Sequence, residues 1–137
     1  MGLIHLDAGV IIGFLDGNDA HHSAARKVLA DALQAGDRLA IASSAFAQCL
    51  VGPARRGEAE VRTVRNLIER LPISVIALDV EIATTAARLR ATHRSLRLPD
   101  ALVIATAIED AADQLVTTDR KWPTATALKF KPALKHL

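Results

Sequence analysis

With 137 residues, half of them apolar, the chain is long enough to bury a core and too apolar to be a disordered tail. A net charge of +2 excludes a uniformly polybasic or polyacidic segment, and the single Cys49 excludes an internal disulfide and fits a reducing cytoplasm. No apolar run reaches the length of a membrane span, and GVIIGFLDG near the start is short and lacks a basic leader, so neither an anchor nor a secretory signal is expected.

In chain order, LIHLD predicts a short strand ending at Asp7, followed by a brief helix from Val10 to Leu15 and a turn at DGND. Helical periodicity at Ala25, Val28, Leu29, Ala32 and Leu33 predicts a helix over His21–Leu33, with Asp19 as its cap and Gly36 as its stop. RLAIAS predicts a second strand, after which Ser43 or Ser44 caps a helix running towards Leu50 that Gly52 and Pro53 end. Gly57–Leu71 is helical, with Val61, Val64, Ile68 and Leu71 on its apolar face and Pro72 closing it. ISVIAL predicts a third strand, fully apolar as buried parallel strands tend to be. Asp79 caps a helix from Val80 to about Arg94, and LRLPDALVIATAIED holds another that begins at Pro99 or Asp100. QLVTTD is a fourth strand ending in Asp119, and TALKF is a candidate fifth. Strands alternate with helices throughout, which predicts an α/β protein: one α/β/α sandwich over residues 1–137 around a mainly parallel sheet of four to five strands.

Asp100 is out of place in this pattern. On a helical wheel it shares its face with Val103, Ile104, Ala107 and Ile108, so a carboxylate heads the stripe that should be buried. In open parallel sheets ligands bind beyond the carboxyl ends of the strands, where Asp7 and Asp119 also lie. Singly, Asp7 is also explained as a helix cap, Asp100 as a partner of a helix dipole and Asp119 as a turn residue. Gathered on one rim, they repel by about 4 kcal/mol per pair at 4 Å and an effective dielectric near 20. A divalent cation offsets that directly, and Mg²⁺ or Mn²⁺ prefers such oxygen ligands.

The stretches LDAGVIIGFLD, SSAFAQCLVGPARRG and LPDALVIATAIEDAADQLVTTD, in this order and spacing, resemble the PIN-domain family, and within it the small VapC-type toxins of prokaryotic toxin–antitoxin pairs. The resemblance covers essentially the whole chain, and its last stretch is the most specific. It implies a PIN-like fold, Mg²⁺- or Mn²⁺-dependent endoribonuclease activity leaving 5′-phosphate and 3′-hydroxyl ends, a cognate antitoxin whose tail covers the active site, and a homodimer. Residue by residue, it carries the family's first acid to Asp7, the third to Asp100 and the fourth to Asp119, with Thr117 as the small hydroxyl residue beside the last.

The second acid is absent, because Gln48 stands where the family usually has Glu. Gln48 keeps a carbonyl oxygen able to ligate a cation, or N–H donors for phosphate, but loses the charge. Three carboxylates cannot neutralise two divalent cations, which implies one well-held metal and a second site that is weak or filled only with RNA. Two functional readings follow: a toxin ribonuclease, or a PIN-like protein that binds antitoxin or RNA and cleaves weakly or not at all.

Basic residues cluster at Arg55, Arg56, Arg62 and Arg65, at Arg88, Arg90, Arg94 and Arg97, and from Arg120 onward at Arg120, Lys121, Lys129, Lys131 and Lys135 with no acid between. They are either phosphate contacts or solvated helix faces, on which Glu58–Arg62 and Arg65–Glu69 stand four apart. With no Tyr, one Trp and three Phe, a base-stacking platform is not expected. His93 is expected in the core, Trp122 as a hydrophobic anchor after the fourth strand, and Cys49 as packed rather than nucleophilic. A phosphoaspartyl phosphatase would want a second Asp where Gly9 stands, and a receiver domain an acidic pair after the first strand, so both rivals are weak.

Overall fold

The structure, a computed structural model, describes residues 1–137. Five strands, β1 (Leu3–Leu6), β2 (Arg38–Ala42), β3 (Ile73–Ile76), β4 (Gln114–Thr117) and β5 (Ala133–His136), form one sheet in the order β3-β2-β1-β4-β5. Every pairing is parallel. Seven helices complete the α/β/α layers: α1 (Ala8–Leu15), α2 (His22–Ala35), α3 (Ser43–Arg56), α4 (Glu58–Arg70), α5 (Val80–Thr92), α6 (Leu98–Glu109) and the short α7 (Ala125–Leu128). The core is one cluster of 33 buried apolar residues, with β1 buried along its whole length. His5 in that strand is 1% exposed, and its Nε2 meets Asp110 Oδ2 at 2.6 Å, which satisfies a polar group in the centre of the sheet.

Helix boundaries follow local chemistry where a cap is available. Asp79 accepts from the Ile82 N–H at the start of α5, and Gly36 ends α2 with φ at 76°, a left-handed conformation that favours glycine. Asp19 is not the cap of α2: it accepts from the His21 N–H in the preceding turn, and His21 caps without a side-chain bond.

Three expectations are corrected. Neither Ser43 nor Ser44 caps α3, whose N-cap is Ala42, and the helix runs through Gly52 and Pro53 to Arg56. Pro53 forfeits only the bond its own missing N–H would make, and its ring is buried, so packing outweighs the break. β3 is not a buried strand: it lies at the sheet edge, and Ser74 and Val75, which point to opposite faces, are both exposed. TALKF does not form a strand. Thr124 accepts from the Ala127 N–H and nucleates α7, and the fifth strand begins five residues after α7 ends, at Ala133. Glu58, Arg62, Arg65 and Glu69 are exposed, as on a solvated helix face, and Arg56 and Glu60 approach there at 4.0 Å.

Candidate active site

The strand order reverses direction at β1, with β2 on one side and β4 on the other, so the crevice between the carboxyl ends of β1 and β4 is a topological switch point. Register does the rest. Leu6 pairs with Val116, and the Asp7 N–H extends the ladder to the Val116 carbonyl at 2.9 Å, which sets Asp7 beside Thr117.

Asp7 is 8% exposed and caps α1, with Oδ1 accepting from the Ala8 N–H at 2.8 Å. Its Oδ2 accepts from the Thr117 hydroxyl at 2.8 Å, and that oxygen in turn accepts from the Asp119 N–H at 3.0 Å. Thr117, fully buried, thus ties the ends of both strands together. Burial pushes the Asp7 carboxyl above its ordinary range; the bonds from Thr117 and Ala8 oppose the shift, and the negative charges of Asp100 and Asp119 add to it. Those like charges reach Asp7 from sequence positions far away.

Asp100 stands in the first turn of α6 with its side chain 15% exposed, a favourable place for an anion, and its Oδ2 faces Arg97 Nε at 3.4 Å. Asp119 is half-buried, its Oδ1 accepting from the Lys121 N–H at 2.8 Å. Because these two carboxylates turn to cationic and N–H partners, no three acidic, histidine or cysteine side chains stand in ligand geometry. The donor set nonetheless fits a hard divalent cation: the oxygens are carboxylates, and Asp7 is held where added positive charge would relieve both burial and repulsion. Asp100 and Asp119 would have to rotate from their present partners to join it.

Gln48 sits one residue before Cys49 on α3. It is exposed on α3 and makes no side-chain hydrogen bond, while its neighbour Cys49 packs at the entrance of α1, Sγ lying 3.8 Å from the Ala8 carbonyl. Burial and the Asp7 charge push that thiol up to about 12, which leaves it inert as a nucleophile. His93 is half-buried at the end of α5 rather than in the core.

A cavity of about 760 Å³ opens beside Asp100 and Asp119, and Arg97, Arg120, Lys121 and Trp122 line it. Sequence reasoning named these cations among its clusters without assigning them here. The usable signal was their position, within three residues of Asp100 or Asp119. It also missed why Gly9 is glycine: a Cβ there would stand 2.2 Å from Thr118 Oγ1, so a side chain at position 9 requires Thr118 to move.

The family model described as PIN domain matches residues 4–128. Among solved structures, VapBC-1 from nontypeable Haemophilus influenzae is similar with a TM-score of 0.72 at 17% identity, covering 98% of this chain and 97% of that one. VapBC2 from Rickettsia felis, bound to a DNA fragment from its promoter, gives a TM-score of 0.71 at 16% identity over 98% of each chain. VapC20 from Mycobacterium tuberculosis, a toxin that cleaves the sarcin-ricin loop, gives 0.68 at 15% identity over 86% of this chain and 91% of that one. Curated protein sequences give no match.

Proposed function

The chain belongs to the PIN domain family, and from that premise we propose that it is a metal-dependent endoribonuclease, the toxin of a toxin–antitoxin pair acting in the cytoplasm. The observation that supports this reading most is geometric: Asp7 at the end of β1 and Asp119 beyond β4 meet through the Thr117 hydroxyl at the switch-point crevice, beside the cavity that Asp100 and Asp119 line. Asp7, Asp100 and Asp119 would hold Mg²⁺ or Mn²⁺. When bound, the metal would lower the pKa of a water and clamp the phosphate.

The remaining work belongs to the chain. Thr117 and the Ala8 N–H fix the Asp7 oxygens, so one ligand is positioned before any cation arrives. Arg97, Arg120 and Lys121 set positive charge around the cavity where a phosphodiester strand would lie. The products would carry 5′-phosphate and 3′-hydroxyl ends.

A further similar structure is a toxin-antitoxin complex from Klebsiella pneumoniae, with a TM-score of 0.67 at 22% identity, and on that likeness a cognate antitoxin is proposed as partner; a homodimer is proposed on the family resemblance alone. No helix is long and apolar enough to cross a membrane.

Gln48 favours a second reading, a PIN-like protein that binds antitoxin or RNA and cleaves poorly, since an uncharged side chain stands where a fourth acid would add negative charge. Purified, antitoxin-free protein incubated with an RNA panel and Mg²⁺ separates the two. Cleavage lost in Asp7→Asn and in Asp100→Asn supports the nuclease; cleavage that survives both overturns this site. Gln48→Glu is expected to raise metal affinity and rate, and no gain would argue against a role for position 48.

A further inference from the structure

Trp122 holds the one buried side-chain nitrogen or oxygen with no hydrogen-bond partner, its indole Nε1. The residue is 7% exposed, yet it lines the cavity beside Asp100 and Asp119. A buried donor left unpaired costs free energy, and a phenylalanine or leucine would anchor the same spot without that cost. Three cations, Arg97, Arg120 and Lys121, line the cavity with the two carboxylates of Asp100 and Asp119. Lys121 has no acidic partner, Arg120 is engaged only by the Leu137 carbonyl, and Arg97 shares its charge with Asp100. The acceptor suited to these surroundings is an anionic oxygen.

We infer that Trp122 is a substrate-positioning residue whose indole N–H donates to a phosphodiester oxygen of RNA lying in this cavity. The inference rests on the ribonuclease reading and adds a contact to it. Nε1 is covered in the free chain, so the contact requires the segment that carries it to shift. That segment, Thr118–Thr124, has no regular secondary structure and is flanked by exposed Arg120, Lys121 and Thr124. RNA that offers the missing acceptor stabilises the shifted arrangement over the free one, which is how a ligand moves a population between two states.

The test exploits the donor's being orphaned in one state and satisfied in the other. Trp122→Phe removes the N–H but also ring volume, so it is paired with replacement of Trp122 by β-(3-benzothienyl)alanine, which keeps the bicyclic shape and puts sulfur where the N–H stood. The thermal midpoint of the free protein and its affinity for oligo(U) and oligo(A) are measured with Ca²⁺ in place of Mg²⁺. The analogue is expected to leave the midpoint unchanged or raised and to weaken both RNAs about tenfold, the scale of one hydrogen bond to a charged group. Trp122→Phe should weaken RNA by a similar factor whatever it does to the midpoint.

Equal affinity of the analogue and the wild type overturns the contact while leaving the ribonuclease reading intact. A lowered midpoint in the analogue means that the N–H already has a partner in the free chain, and overturns it too. A loss on one homopolymer alone assigns the acceptor to a base and overturns the phosphate contact. Failure of the wild type to bind either RNA overturns this inference together with the reading it rests on.

Discussion

Asp7 carries a charge that its own surroundings resist. Burial raises its pKa, Asp100 and Asp119 raise it further, and the bonds from Thr117 and Ala8 do not cancel the shift. A carboxyl whose pKa is higher folded than unfolded favours the fold in its protonated form. Its contribution is therefore fully present below the unfolded value near 3.8 and is lost as pH rises through the higher folded value. In EDTA, Asp7→Asn should consequently have a higher Tm than the wild type at pH 7, by a few degrees, and the difference should shrink as the pH falls through the carboxylate range. Equal midpoints at pH 7, measured by thermal denaturation, would show that the acid is not held against its charge. This residue was legible in the sequence, as were Asp100 and Asp119, because an acid at the end of an apolar strand or at the head of a buried stripe breaks a pattern. Arg97, Arg120 and Lys121 break none. An exposed cation looks alike whether it faces solvent or a cleft, so only the fold could assign them to the cavity.

At the level of elements, the sequence was informative where the signal was local and silent where it depended on neighbours. Asp79 and Gly36 mark the ends of α5 and α2 by chemistry confined to a single turn. α3 passes through Gly52 and Pro53 because its buried face packs, a fact no local propensity contains. β5 was missed since ALKH has no apolar alternation of its own; it becomes a strand by pairing with β4 from Gln114 to Thr117. The most consequential contact between elements is the approach of α1 to the end of β4 at Gly9. A methyl group there would stand 2.2 Å from the Thr118 hydroxyl, and Thr118 joins Thr117, which holds Asp7, to Asp119. Gly9→Ala should thus displace that loop, abolish or strongly reduce RNA cleavage, and lower Tm by the few degrees that overpacking of roughly 1–3 kcal/mol produces. Wild-type cleavage in Gly9→Ala would mean that the loop yields without moving the acids.

Across the whole molecule, the site is an assembly of parts that have no reason to meet in an unfolded chain. Asp7 leaves β1, Asp100 opens α6 and Asp119 leaves β4, and strand pairing in the order β2-β1-β4 brings two of them together. The alternation of strands and helices made a parallel sheet legible, but not which strands would be neighbours, and that order decides which acids share a crevice. A cation that binds only the assembled set stabilises the fold, by about 2.7 kcal/mol at a hundredfold excess over its Kd. Mg²⁺ or Mn²⁺ should therefore raise the wild-type Tm in a concentration-dependent way. The rise should be much smaller in Asp7→Asn, even though that variant starts from the higher midpoint in EDTA. The two effects come from one cause with opposite signs: the carboxylate that weakens the metal-free fold by its charge is the one that makes the metal-bound fold stronger. Equal metal-induced shifts in the two proteins would place the cation elsewhere. A shift in neither would leave the negative crevice without a metal, and the like-charge field at Asp7 would then need a different counter-ion, with the arginines and lysine of the neighbouring cavity as the nearest source.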